Sequence, residues 1–128
     1  MKGINAYRRT AVTTSDPMDI LVALYDGYLR HTAVADGSLQ KGDRARAGEA
    51  LGKAIAIVTE LQASIDFRHD TEFGERLSAI YSWIIQTLIK ANVEQSRDRV
   101  AETVGVMTEL RSAWAEAAVN VRSERAAG

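Results

Sequence analysis

Apolar residues in this chain recur at every third and fourth position in four separate stretches, the spacing that turns one face of an α-helix toward a core. In the first, Leu21, Leu24, Tyr25, Tyr28, Leu29 and Thr32 follow Pro17. Proline is tolerated at a helix's first position because the N–H it lacks would have no partner there. The pattern fades into Asp36-Gly37-Ser38 and Lys41-Gly42. Asp43 then caps a second helix striped by Ala47, Leu51, Ala54, Ile55, Val58, Leu61 and Ile65. Asp66 to Thr71 is the most polar break in the chain. Beyond it, Leu77, Ile80, Tyr81, Ile84, Leu88 and Ala91 form a third stripe, and Asn92 is expected to turn left-handed and stop that helix. Ser96 caps a fourth, in which Val100, Thr103, Met107, Leu110, Trp114, Ala117 and Val121 alternate by three and four as a heptad seam.

Helices of about 22 residues, each about 33 Å long, joined by short polar turns, predict an all-α fold, an antiparallel four-helix bundle over 16–121. Residues 1–15 stand outside it as a short N-terminal cap segment. Ile4 and Tyr7 give that segment one apolar edge, but it is too short to fold alone. Residues 122–128 read as a flexible C-terminal tail.

The 128 residues, 46% hydrophobic and 26% charged, are those of one soluble globular domain. Sixteen Lys plus Arg against 17 Asp plus Glu leave a net charge of −1, so bulk charge gives no reason to expect nucleic-acid binding. The absence of cysteine excludes disulfides, thiolate metal sites and a cysteine nucleophile, and makes the cytoplasm the default location. The longest apolar run, Ile20 to Tyr25, falls far short of the roughly 20 residues that span a bilayer, so no membrane insertion is expected. Thr10 to Asp16 is polar where a signal peptide would carry its apolar core.

Little in the sequence suggests catalysis. Carboxylate-type metal bundles need repeated Glu-x-x-His pairs, and the two histidines, His31 and His69, supply none. Neither sits near a strained Gly-x-Ser-x-Gly elbow. Gly48 to Lys53 lacks the spacing and the terminal Ser or Thr of a phosphate loop. No cofactor, metal or enzymatic activity is expected. Gly48 and Gly52 instead share one side of the second helix, where close packing within the bundle or against a partner accounts for them. Apolar residues exceed what one core uses: Ile20, Ile57, Trp83, Ile85, Ile89 and Val106 are left over. Singly exposed apolar residues are ordinary. The group on the third helix also reads as a groove for a partner helix.

Leu24-Tyr25-Asp26-Gly27, Leu61 through Ile65-Asp66-Phe67, Ala91-Asn92 and Glu109 through Ala117, in that order, resemble the FliS family of flagellar export chaperones, a likeness running from about Ile4 to Ala118. Ile4 and Tyr7 match the family's N-terminal Ile-x-x-Tyr element. Asp16 stands where the family usually has serine, and Ile65 where leucine is commoner. The resemblance implies a cytoplasmic chaperone that binds the disordered C-terminal segment of flagellin, prevents premature polymerisation and delivers it to the flagellar type III export apparatus. It also implies that the client wraps the bundle along hydrophobic grooves and that the N-terminal segment covers part of that surface when it is empty.

The residues expected to touch flagellin are Ile4, Tyr7, Ile20, Leu24, Asp26, Trp83, Ile85, Ile89 and Asn92. For Asp26 a buried hydrogen-bonding role and a client contact both remain open, and Arg111 reads as solvated surface. The expected assembly is a monomer or weak dimer. The alternatives are a helical adaptor with another client, or a helical DNA-binding regulator, which would need a short basic recognition helix.

Overall fold

The computed structural model describes residues 17–127. Ile4 and Tyr7 lie outside them. Four helices follow in order: α1 (Pro17–Gln40), α2 (Arg44–Ala63), α3 (Thr71–Glu94) and α4 (Arg97–Ala127). Contacts join α1 to α2, α2 to α3, α3 to α4 and α4 back to α1, so the bundle is a ring of antiparallel neighbours around one core.

Each helix end has a local cause. α1 runs through Gly37, where the apolar pattern fades, because Ala35 and Ser38 are still buried and the Ser38 hydroxyl donates to the Val34 carbonyl at 2.9 Å. The chain then turns at Gly42, whose φ of 75° suits a residue without Cβ. The Asp43 carboxylate accepts the Arg46 N–H at 3.1 Å and opens α2. Asp70 does the same for α3 through the Phe73 N–H at 2.9 Å, a cap hidden in the sequence among several polar neighbours. Ser96 accepts the Arg99 N–H at 3.3 Å at the head of α4.

The stop of α3 is not where the sequence placed it. Leu88 and Ala91 are both buried, so helix is retained through the turn they pin, and the left-handed residue is Gln95, with φ 54°. Asn92 stays inside the helix and its carbonyl accepts from the Gln95 amide at 2.6 Å. At the other end of the bundle, α4 continues past residue 121 to Ala127, and Arg122 pairs with Asp19 of α1 at 2.9 Å.

The core is filled by Tyr25, Tyr28, Leu51, Leu61, Tyr81, Ile84, Leu88 and Met107. Ile57, expected to be surplus, is only 4% exposed and belongs to it. The heptad seam of α4 is buried at Val100, Thr103 and Met107, while Leu110 and Trp114 are half-buried at its edge. The polar groups inside are paired: the Tyr28 hydroxyl donates to Thr103 Oγ1 at 2.6 Å, and Thr103 donates on to the Val100 carbonyl at 2.8 Å.

Candidate functional site: the outer seams of the bundle

A ring of four helices has four outer seams, and the candidate contact residues fall on all of them. Consecutive helical residues turn by about 100°, so residues two apart lie about 200° apart and face different neighbours. Trp83 and Ile85 are such a pair, and the structure does not bring them together.

Ile85, Ile89 and Asn92 share a stripe with Ser78 and Ser82, and this stripe faces α2. Gln62 of α2 fixes the register, since its amide donates to Ser78 Oγ at 3.2 Å and Ser82 Oγ at 2.8 Å. Facing that stripe is its counterpart on α2: Gly48, Gly52, Ile55, Thr59 and Gln62. A Cβ added at Gly48 would sit 3.6 Å from the Asn92 side chain, so this glycine does pack against α3; at Gly52 a Cβ would meet nothing within 4 Å. Along the outside of the α2–α3 seam, bare backbone at Gly52 on α2 and Ile89 on α3, half exposed at 50%, are therefore both open to a partner. Ile85 is deeper and packs on the core.

Trp83, 42% exposed, lies on the opposite side of α3 with Ile80 and Phe73. Phe73 meets Trp114 of α4 edge-on, ring centres 6.2 Å apart, which places this stripe on the α3–α4 seam. At the end of the bundle where α1 begins, Leu21, Ile65, Phe73, Gly74, Leu77 and Trp114 line a cleft of about 180 Å³. A Cβ on Gly74 would come within 2.8 Å of the Phe67 ring, so the α2–α3 loop can close over α3 only on glycine.

The α1–α4 seam is held by three Asp–Arg pairs in antiparallel register: Asp19–Arg122 at 2.9 Å, Asp26–Arg111 at 2.6 Å and Asp36–Arg97 at 2.8 Å. Asp26 thus has its partner within the bundle, and Arg111 is not simple solvated surface. The Arg97 guanidinium, hydrogen-bonded to Asp36, holds that carboxyl below the usual carboxylate range. Between the second and third pairs opens a cavity of about 590 Å³ lined by Leu29, Ala33, Val100, Ala101 and Val104. Periodicity along the chain does not reveal this surface, because it depends on how α1 and α4 align.

Ile20 and Leu24 share a stripe with His31, which faces α2. Leu24 is only 6% exposed, so it is a core residue and offers no docking surface as the structure stands; Ile20 is half-buried. Around His31 this seam is charged, with Arg46, Glu49 and Lys53.

Among the described residues no three His, Asp or Glu side chains converge as metal ligands do, and no helix is long and apolar enough to cross a membrane. What the described residues offer is apolar material along three seams, a surface suited to binding.

The family model described as "Flagellar protein FliS" matches residues 1–121. Flagellar secretion chaperone FliS of Bacillus subtilis strain 168 is 29% identical over 120 residues, covering 94% of this chain and 89% of its own. The Salmonella typhimurium protein of the same name is 32% identical over 117 residues, covering 88% of this chain and 87% of its own. A solved structure titled "Crystal structure of flagellar chaperone from bacteria" superposes with a TM-score of 0.77 at 19% identity, covering 92% of this chain and 98% of that one, which shows a common fold. With a family match spanning nearly the whole chain and relatives matched over most of their length, this protein belongs to the FliS family of flagellar secretion chaperones.

Proposed function

We propose that this protein holds the disordered C-terminal segment of flagellin along the α2–α3, α3–α4 and α1–α4 seams, keeps it from polymerising in the cytoplasm, and presents it to the flagellar export apparatus. The observation that carries this reading is the placement of apolar surface on three sides of the ring. Ile89, Trp83 and the Leu29–Val104 cavity lie on three separate seams, so no single groove holds them all. A disordered segment loses chain entropy on ordering and needs an extended contact to offset that loss. A segment wrapped around the bundle has such a contact.

Ile85, Ile89 and Asn92 form one stretch of this path, and Trp83 another. Ile20 lies at the edge of the path, while Leu24 and Asp26 support it from within, the first in the core and the second through Arg111. Ile4 and Tyr7 precede α1 at the end of the bundle that carries the cleft of Leu21, Phe73 and Trp114, and covering that cleft when no client is bound is their proposed role. The protein acts by binding alone, with no catalytic step, and works as a monomer or weak dimer.

Light scattering by polymerising flagellin provides the test. An equimolar amount of this protein should suppress the rise in scattering, and a Trp83→Glu, Ile89→Glu double variant should suppress it far less. Unchanged polymerisation in the presence of wild-type protein would overturn the proposal.

A further inference from the structure

We propose that the α1–α2 seam is a second docking site, separate from the client path, that takes a short helix presenting one apolar residue flanked by carboxylates. Two clefts, of about 660 and about 310 Å³, both border Val34, Asp43 and Arg46 and so form one continuous trough. It runs from Lys41 in the turn to Lys53 on α2, a length that holds about three turns of helix. The apolar anchor is Val34, 42% exposed in an otherwise polar seam. The wall beside it is bare, because a Cβ at Gly37 would meet nothing within 4 Å. Packing within the bundle therefore gives no reason for a glycine there, in the last turn of α1. Approach of a partner's backbone does.

The charges set the chemistry of the partner. Among the described residues neither Lys41 nor Arg46 forms an ion pair, while the Asp43 carboxylate is committed to capping α2 and Glu49 lies 3.5 Å from Lys53. Burial first, and then the charges of Lys53 and Arg30, hold the His31 imidazole below its usual pKa. Separate carboxylates on a helix can meet Lys41 and Arg46 and avoid Asp43 and Glu49, whereas the unbroken charge of a nucleic-acid backbone would also meet those two. The trough carries none of the apolar surface assigned to flagellin. Occupying it leaves the client in place, a consequence that rests on the flagellin reading, although the docking itself does not.

The test is a fluorescence-anisotropy titration of the full chain with a labelled helical peptide of about 12 residues, one leucine flanked by glutamates, alongside the same peptide carrying lysines. The glutamate peptide should bind and the lysine peptide should not. Raising salt from about 50 to about 300 mM should weaken binding several-fold. Lys41→Glu with Arg46→Glu should weaken it about tenfold or more. Gly37→Leu, which fills the trough without changing charge, should do the same while the melting temperature holds or rises, as expected when a helical glycine is replaced. Flagellin peptide added in excess should not displace the probe. Equal binding of the two peptides, undiminished binding by the charge variant, or displacement by flagellin peptide would each overturn the proposal. So would binding of anionic vesicles or duplex DNA, but not of the peptide, that is lost in the same variant.

Discussion

The hydroxyls of Tyr25 and Tyr81 meet 2.5 Å apart across the core, tying α1 to α3, and the Trp114 indole N–H of α4 donates to the same Tyr25 oxygen at 3.1 Å. Three helices are thus fixed in register by one oxygen. A buried polar group is tolerated only while it is paired, so a slip of any of these helices by one turn would leave hydroxyls without partners.

The asymmetry of that cluster is measurable. Tyr81→Phe leaves Tyr25 still bonded to Trp114 and should cost about 1 kcal/mol. Tyr25→Phe strands the Tyr81 hydroxyl in the core as well, adding about 1 to 3 kcal/mol. Urea unfolding of the two variants decides it, and equal losses would contradict the network.

Alkaline pH should unfold the protein by the same chemistry. Burial pushes the phenols of Tyr25, Tyr28 and Tyr81 above their usual value of 10.0. The folded state therefore keeps protons that the unfolded chain releases. The stability linked to these groups is complete below about pH 10 and lost as pH rises above it, by about 1.4 kcal/mol per unit for each tyrosine. Urea midpoints measured at about pH 9 and about pH 11 should differ sharply; a flat profile would mean that the phenols are hydrated.

Asp26–Arg111 should be a modest clamp. Its side chains are 39% and 37% exposed, so a double-mutant cycle with Asp26→Asn and Arg111→Gln should give a coupling of about 0.5 to 1 kcal/mol. Flagellin binding should hardly change, whereas a loss comparable to that of Ile89→Glu would make Asp26 a direct client contact.

Ile89→Glu and Ile85→Glu should behave differently. Ile89 is half exposed, so the glutamate stays hydrated in the free protein and is buried only against the client, where an unpaired carboxylate costs several kcal/mol. Ile85 packs on the core, so its glutamate should also lower the melting temperature. Thermal unfolding of both variants separates the effects, and matching melting temperatures would place Ile85 at the surface.

The helices were legible in the sequence because their causes are local: Pro17, Asp43 and Ser96 stand just ahead of periodic apolar runs. Asp70 is hidden by its polar neighbours, and Asn92 does not stop the helix because the burial of Ala91 carries α3 on to Gln95. The surplus on α3 was also legible, but Trp83 and Ile85, two residues apart and so half a turn apart, face different seams. The Asp–Arg pairs of the α1–α4 seam join residues 61 to 103 positions apart. They depend on how two helices are aligned, which periodicity does not specify.

Calorimetric titration of a peptide from the C-terminal end of the organism's own flagellin tests the chaperone function most directly. Wild-type protein should bind the peptide with a negative heat-capacity change, the mark of apolar burial, and Ile89→Glu and Trp83→Glu should each bind it more weakly while remaining folded. No heat and no complex with the wild type would contradict the function. Equal binding by all three proteins would contradict the placement of the client on the α2–α3 and α3–α4 seams.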